Sequence, residues 1–144
     1  MLKKYLIYVA VCLSAFLAAF WVPVGLVHAE AQEDAFRAVI SADGTQRVRI
    51  LGGSYFFRPG HIIVKVNVPV ELSVVLEPGI VPHTLVIQAA EAGIAIDEPL
   101  GTDPKTFAFT PKAAGKYPFY CKNKLLFFKS HRDKGMEGIL EVVE

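Results

Sequence analysis

The fold class this sequence predicts is an all-β sandwich or barrel of about seven to eight short strands, preceded by an N-terminal apolar signal or anchor helix. Two observations carry it. Beyond residue 30 the apolar residues recur with period two, not 3.6, and Gly, Pro and Asp signals break them into short runs. The stretch that remains after the N-terminal segment is long enough for one domain of ordinary size and not for two.

The leading segment has Lys3 and Lys4, a charge-free run from Tyr5 to Val27, and then Val27-His28-Ala29. That is the layout of a secretory signal with a small-residue cleavage site. At about 23 residues the run also meets the roughly 20 that a bilayer-spanning helix needs, so a retained membrane anchor is the alternative. Cys12 lies mid-run after Val11, where a lipoprotein signal wants a small residue. Residues 1–29 are therefore read as signal peptide or anchor, and 30–144 as a single domain outside the cytoplasm, periplasmic or equivalent, tethered to a membrane only if the segment is retained.

Loss of Lys3 and Lys4 takes the net charge from +1 to −1, which gives no bulk attraction to nucleic acid. Charge is nevertheless uneven, because Lys122, Lys124, Lys129, Arg132 and Lys134 fall close together near the end. This patch, between Lys122 and Lys134, is a candidate docking surface for an acidic redox partner.

The strands follow in order. Phe36–Ile40 and Arg47–Leu51 come first, then the clearest run, Ile62 to Leu76. There Val64, Val66, Val68, Val70, Leu72 and Val74 share one parity, while Lys65, Asn67, Glu71 and Ser73 take the other, as in a sheet with one buried face. Pro69 marks a bend or the break between two strands. Thr84–Gln88, Thr106–Thr110, Tyr117–Cys121 and Ile139–Val143 complete the set, with pairing expected to be antiparallel. Ala89–Ala95 is suited to a helical turn, and His61 to an exposed turn.

Cysteine use is the sharpest clue. Export favours paired cysteines, yet the domain after residue 29 holds Cys121 alone, so the thiol is either buried or bound to a metal. Cys121 ends a strand, His131 and Met136 lie on the loop behind it, and His83 precedes them by some forty residues. A thiolate, two imidazoles and a thioether make the donor set of a mononuclear copper site, where sulfur favours Cu(I) and nitrogen serves Cu(II). Zinc also takes Cys and His, but a thioether in fourth place argues for copper.

The segments Tyr55-Phe56-Phe57-Arg58-Pro59, Val64-Lys65-Val66-Asn67-Val68-Pro69-Val70, Pro82-His83-Thr84-Leu85-Val86-Ile87, Gly115-Lys116-Tyr117-Pro118-Phe119-Tyr120-Cys121 and His131-Arg132-Asp133-Lys134-Gly135-Met136-Glu137-Gly138, in that order, resemble the cupredoxin family over most of the domain. The resemblance implies a Greek-key β-sandwich with one copper ion per chain held by His83, Cys121, His131 and Met136. It also implies single-electron transfer between redox partners. One departure is large: nine residues separate Cys121 from His131, where many cupredoxins have two to four. The inserted stretch contains Leu125-Leu126-Phe127-Phe128, readable as a flap over the copper, a docking surface or extra core. A copper chaperone or buffer is the alternative function, although a single Met and three His after residue 29 are few for that role. No second cluster of His, Asp and Glu at metal spacing favours an enzyme.

Overall fold

The computed structural model describes residues 35–144, so the signal or anchor read at 1–29 lies outside the described residues. Among the described residues no helix is long and apolar enough to cross a membrane. The described residues form ten strands: β1 (Phe36–Arg37), β2 (Gln46–Gly53), β3 (Phe56–Arg58), β4 (His61–Lys65), β5 (Val70–Leu76), β6 (His83–Ala89), β7 (Ile94–Leu100), β8 (Lys105–Phe109), β9 (Gly115–Tyr120) and β10 (Glu137–Val143). They make a six-stranded sheet in the order β1-β4-β10-β9-β6-β7 and a four-stranded sheet in the order β3-β2-β5-β8.

The long alternating run divides as Pro69 suggests, and its halves enter different sheets. Val66–Pro69 carries the chain across, with Asn67 in the left-handed region (φ 58°), which a short amide side chain tolerates. Ile62, Val64, Val70, Leu72 and Val74 point inward, while Val66 and Val68, at the bend, are only half-buried.

Three pairings depart from the antiparallel expectation: β1–β4, β4–β10 and β2–β5 run parallel. Alternation within a run shows which face is buried and carries no information about which remote strand lies alongside. Two strands were not read from the sequence. At three residues β3 is too short to display a period, and β7 contains Asp97, Glu98 and Pro99, which suit an edge strand. The helical turn is real but brief, a 3₁₀ turn over Ala90–Ala92 closed by Gly93 at φ 72°.

The core lies between the sheets. Ile50, Phe57, Leu72 and Val74 from one face Ile62, Leu85, Ile87, Phe119 and Leu140 from the other. Phe57 and Phe119 meet edge to face across the gap, centroids 5.6 Å apart. Buried Gln46 links the sheets by hydrogen bonds: its Oε1 accepts from Lys65 N at 2.7 Å, and its Nε2 donates to Lys65 O at 3.2 Å. All these residues lie within the compact unit Glu33–Glu144, which has a hydrophobic core of its own, as a domain that folds by itself requires.

The register also fixes what gathers at each end of the six-stranded sheet. β9 finishes at Tyr120 opposite Glu137, where β10 begins; β10 lies parallel to β4 with Ile139 beside His61, and β4 parallel to β1 with Ile62 beside Phe36. β6 starts at His83 and reaches Tyr120 by Val86. The end of β9 and the starts of β4, β6, β10 and β1 therefore share one end of the sheet.

Candidate metal centre

At that end the structure brings His83, Cys121 and His131 together, with donor atoms all within 4.8 Å of one another. His83 opens β6, Cys121 follows the last residue of β9, and His131 caps a 3₁₀ turn at Arg132–Lys134. Cys121 Sγ is 3.4 Å from His131 Nδ1 and 3.8 Å from His83 Nδ1, and the two Nδ1 atoms are 3.1 Å apart. These are the edges expected when two imidazoles and a thiolate share one ion at about 2.0–2.3 Å. Cys121 and Met136 are fully buried, and both histidines are buried.

Met136 is tied in through its backbone, its carbonyl accepting from Cys121 N at 3.0 Å and its amide donating to His131 O at 3.0 Å. The structure thus gathers the donor atoms of His83, Cys121 and His131 and ties the Met136 backbone to two of these residues, and by donor chemistry the group could hold one copper ion. His61 stands apart from it, half-buried at the start of β4 with Nε2 2.8 Å from Glu141 Oε2.

The long Cys121–His131 interval does not loosen this geometry. His131 N donates to Asn123 O at 2.9 Å, so the chain leaves the site after Asn123 and returns to the same place. Residues 124–130 form an excursion on this short base, turned by Leu126 (φ 47°) and closed by a 3.0 Å bond from Phe128 N to Leu125 O. Leu125, Leu126, Phe127 and Phe128 are all exposed, which rules out the reading of this stretch as extra core.

Three neighbours of the donors carried no assigned role in the sequence. Thr84 N lies 3.4 Å from Cys121 Sγ and donates toward it, a polarity suited to a thiolate. Thr84 Oγ1 also donates to Asn123 Oδ1 at 2.9 Å and accepts from Lys122 N at 3.1 Å, joining the β6 start to the ligand loop. Tyr55 packs edge-on against the His131 ring, centroids 5.0 Å apart. Thr84 and Tyr55 lie within the motifs quoted above and could have been weighed there; Asn123 has no sequence signal.

Burial holds both imidazoles below their ordinary pKa of 6.5, since an imidazolium there loses hydration; the neighbouring His131 adds to this at His83, and Lys134 at His131. Neutral imidazoles are the form that binds metals. In metal-free protein the same shifts make stability depend on pH. Above about 6.5 the rings are neutral folded or unfolded; below it the unfolded chain takes up protons that the folded chain resists. We expect Tm to be level above neutrality and to fall as pH drops toward about 5, with a smaller fall in the double variant His83→Gln/His131→Gln. Thermal unfolding across that range checks it; equal slopes in both proteins would count against it.

No protein-family model and no curated protein matches this sequence. Solved structures do. The metal-binding domain of the Cu(I)-exporting P-type ATPase CopA of Streptococcus pneumoniae D39, solved with Cu(I), aligns with 25% identity and a TM-score of 0.57 over 78% of this chain and 98% of that one. Dithionite-reduced auracyanin from Roseiflexus castenholzii aligns with 17% identity and a TM-score of 0.55 over 68% and 97%. Auracyanin A, a "blue" copper protein of Chloroflexus aurantiacus, gives 19% and 0.53 over 69% and 100%. The fold of this chain is cupredoxin-like, as the sequence resemblance implied. Of these, the CopA domain is described as a metal-binding domain with Cu(I) and auracyanin A as a "blue" copper protein.

Proposed function

We propose that this chain is a mononuclear copper protein that carries single electrons between redox partners outside the cytoplasm. The observation that carries the reading is the closed triangle of Cys121, His83 and His131, held by strand ends and backbone hydrogen bonds that need no ion. A site assembled in advance changes little between oxidation states, which suits one-electron exchange. Copper bound there would supply the one-electron couple. Cys121 binds as thiolate, with Thr84 N donating to its sulfur; His83 and His131 bind through the Nδ1 atoms that face it; Met136 is the fourth donor. Full burial of Cys121 and Met136 keeps water and substrates away, which favours a carrier over an enzyme. A redox partner reaches the His131 ring through a cleft of about 330 Å³ lined by Tyr55, Val81, Pro82, Leu125 and Phe128.

The 25% identity to a domain of a Cu(I)-exporting pump favours a second reading, in which the same donors buffer or hand on the ion and not the electron. One experiment separates the two. Residues 33–144 are loaded with one equivalent of Cu(II), and visible and paramagnetic-resonance spectra are recorded beside those of Cys121→Ala. An intense thiolate-to-copper band, absent in the variant and bleached reversibly by a reductant, is the expected result. A colourless protein that takes up Cu(I) would move the assignment to the second reading, and failure to bind copper in either state would overturn both.

A further inference from the structure

We propose that the metal-bearing end of the domain docks on an anionic lipid surface, with the Leu125–Phe128 tip inserted among the acyl chains. The tip is a projecting run of apolar side chains, with Leu125, Leu126 and Phe127 exposed by 65, 75 and 84%. Beside it, across the cleft next to His131, the β5–β6 connection presents Ile80 wholly to solvent. A lone exposed Leu is ordinary; a contiguous cluster of this kind marks a surface that is covered in use.

The charges around the tip indicate what covers it. Lys122 is paired with Asp97 and Arg132 with Glu137, but among the described residues Lys124, Lys129 and Lys134 form no ion pair. Lys124 and Lys129 flank the apolar run on either side, and Lys134 lines the same cleft. Lys134 lies over the Tyr55 ring, and Lys124 and Lys129 act on Asp133 only at a distance. An apolar tip collared by lysines outside ion pairs is the arrangement of segments that lie in a membrane interface: the apolar groups enter the acyl boundary, and the ammonium groups meet anionic headgroups. An acidic protein surface would satisfy the lysines and leave Leu126, Phe127 and Ile80 in water.

The test uses metal-free residues 33–144, so it does not depend on the copper assignment and leaves out the apolar N-terminal run. Co-sedimentation is measured with phosphatidylcholine vesicles alone and with about 30 mol % phosphatidylglycerol. We expect binding to the mixed vesicles that weakens as salt is raised and falls about tenfold or more in Leu126→Ser/Phe127→Ser. Both substitutions are on an exposed loop and should leave Tm unchanged. Equal sedimentation with both vesicle types, or undiminished binding by the double variant, would overturn the proposal. So would a concentration-dependent dimer that the double variant abolishes, because the tip would then belong to a second copy of the chain.

Discussion

Phe119→Ala should lower the stability of the domain by about 3–5 kcal/mol, a loss in Tm of more than about 10 °C. Phe119 has no exposed surface and lies in β9 between two neighbours, opposite Ile87 of β6 and Gly138 of β10. Its ring crosses to the other sheet to meet Phe57. The fit is tight on the β10 side, where a Cβ on Gly138 would collide with the Phe119 ring and with the Gly60 carbonyl that accepts from Ile139 N. Glycine at 138 thus leaves room for the ring, and alanine at 119 would leave a cavity that the paired strands cannot close. Because Phe119 shares a strand face with Cys121 two residues on, the copper-loaded variant should also show a broadened or shifted charge-transfer band. Calorimetry with and without copper checks both parts. A fall of only a degree or two would mean that the two sheets repack without the ring.

How much of this was legible in advance depends on the range of the interaction that fixes each feature. Strand faces are local, so the parity of Val64, Val70, Leu72 and Val74 showed the buried side, and Pro69 marked the change of sheet. Partners are not local. That β4 lies parallel to β10, with Ile139 beside His61, has no trace in either run. At the site, residue type together with placement behind the Cys121 strand grouped His83, Cys121, His131 and Met136, because few donor sets contain one thiol and one thioether. What the sequence does not show is how the nine-residue interval is held: the Asn123–His131 backbone bond closes its base. Hydrogen bonds of this kind involve groups that every residue carries, so they leave no residue signature. Thr84 illustrates the point, since its contact to Cys121 Sγ is made by the main-chain amide.

His83→Gln should weaken copper binding by about 10²-fold while leaving the metal-free Tm within a few degrees. The magnitude follows from sharing about 10–16 kcal/mol of structural metal binding among four donors, or about 3 kcal/mol for each. His83 is informative because its Nδ1 lies 3.1 Å from His131 Nδ1, a distance that also fits an ordinary imidazole–imidazole hydrogen bond. If that contact were purely structural, glutamine would cost stability in the absence of metal and copper affinity would scarcely change. If it is the spacing of two donors around one ion, the cost appears only when copper is added. His61→Gln is the matching control: His61 is engaged by Glu141 and does not belong to the donor group, so its loss should not alter affinity. Copper titrations against a competing chelator, run beside metal-free melts of the three proteins, separate these cases. Equal affinities for His83→Gln and His61→Gln would remove His83 from the donor set and leave Cys121, His131 and Met136, too few soft and imidazole donors for a redox site closed to water.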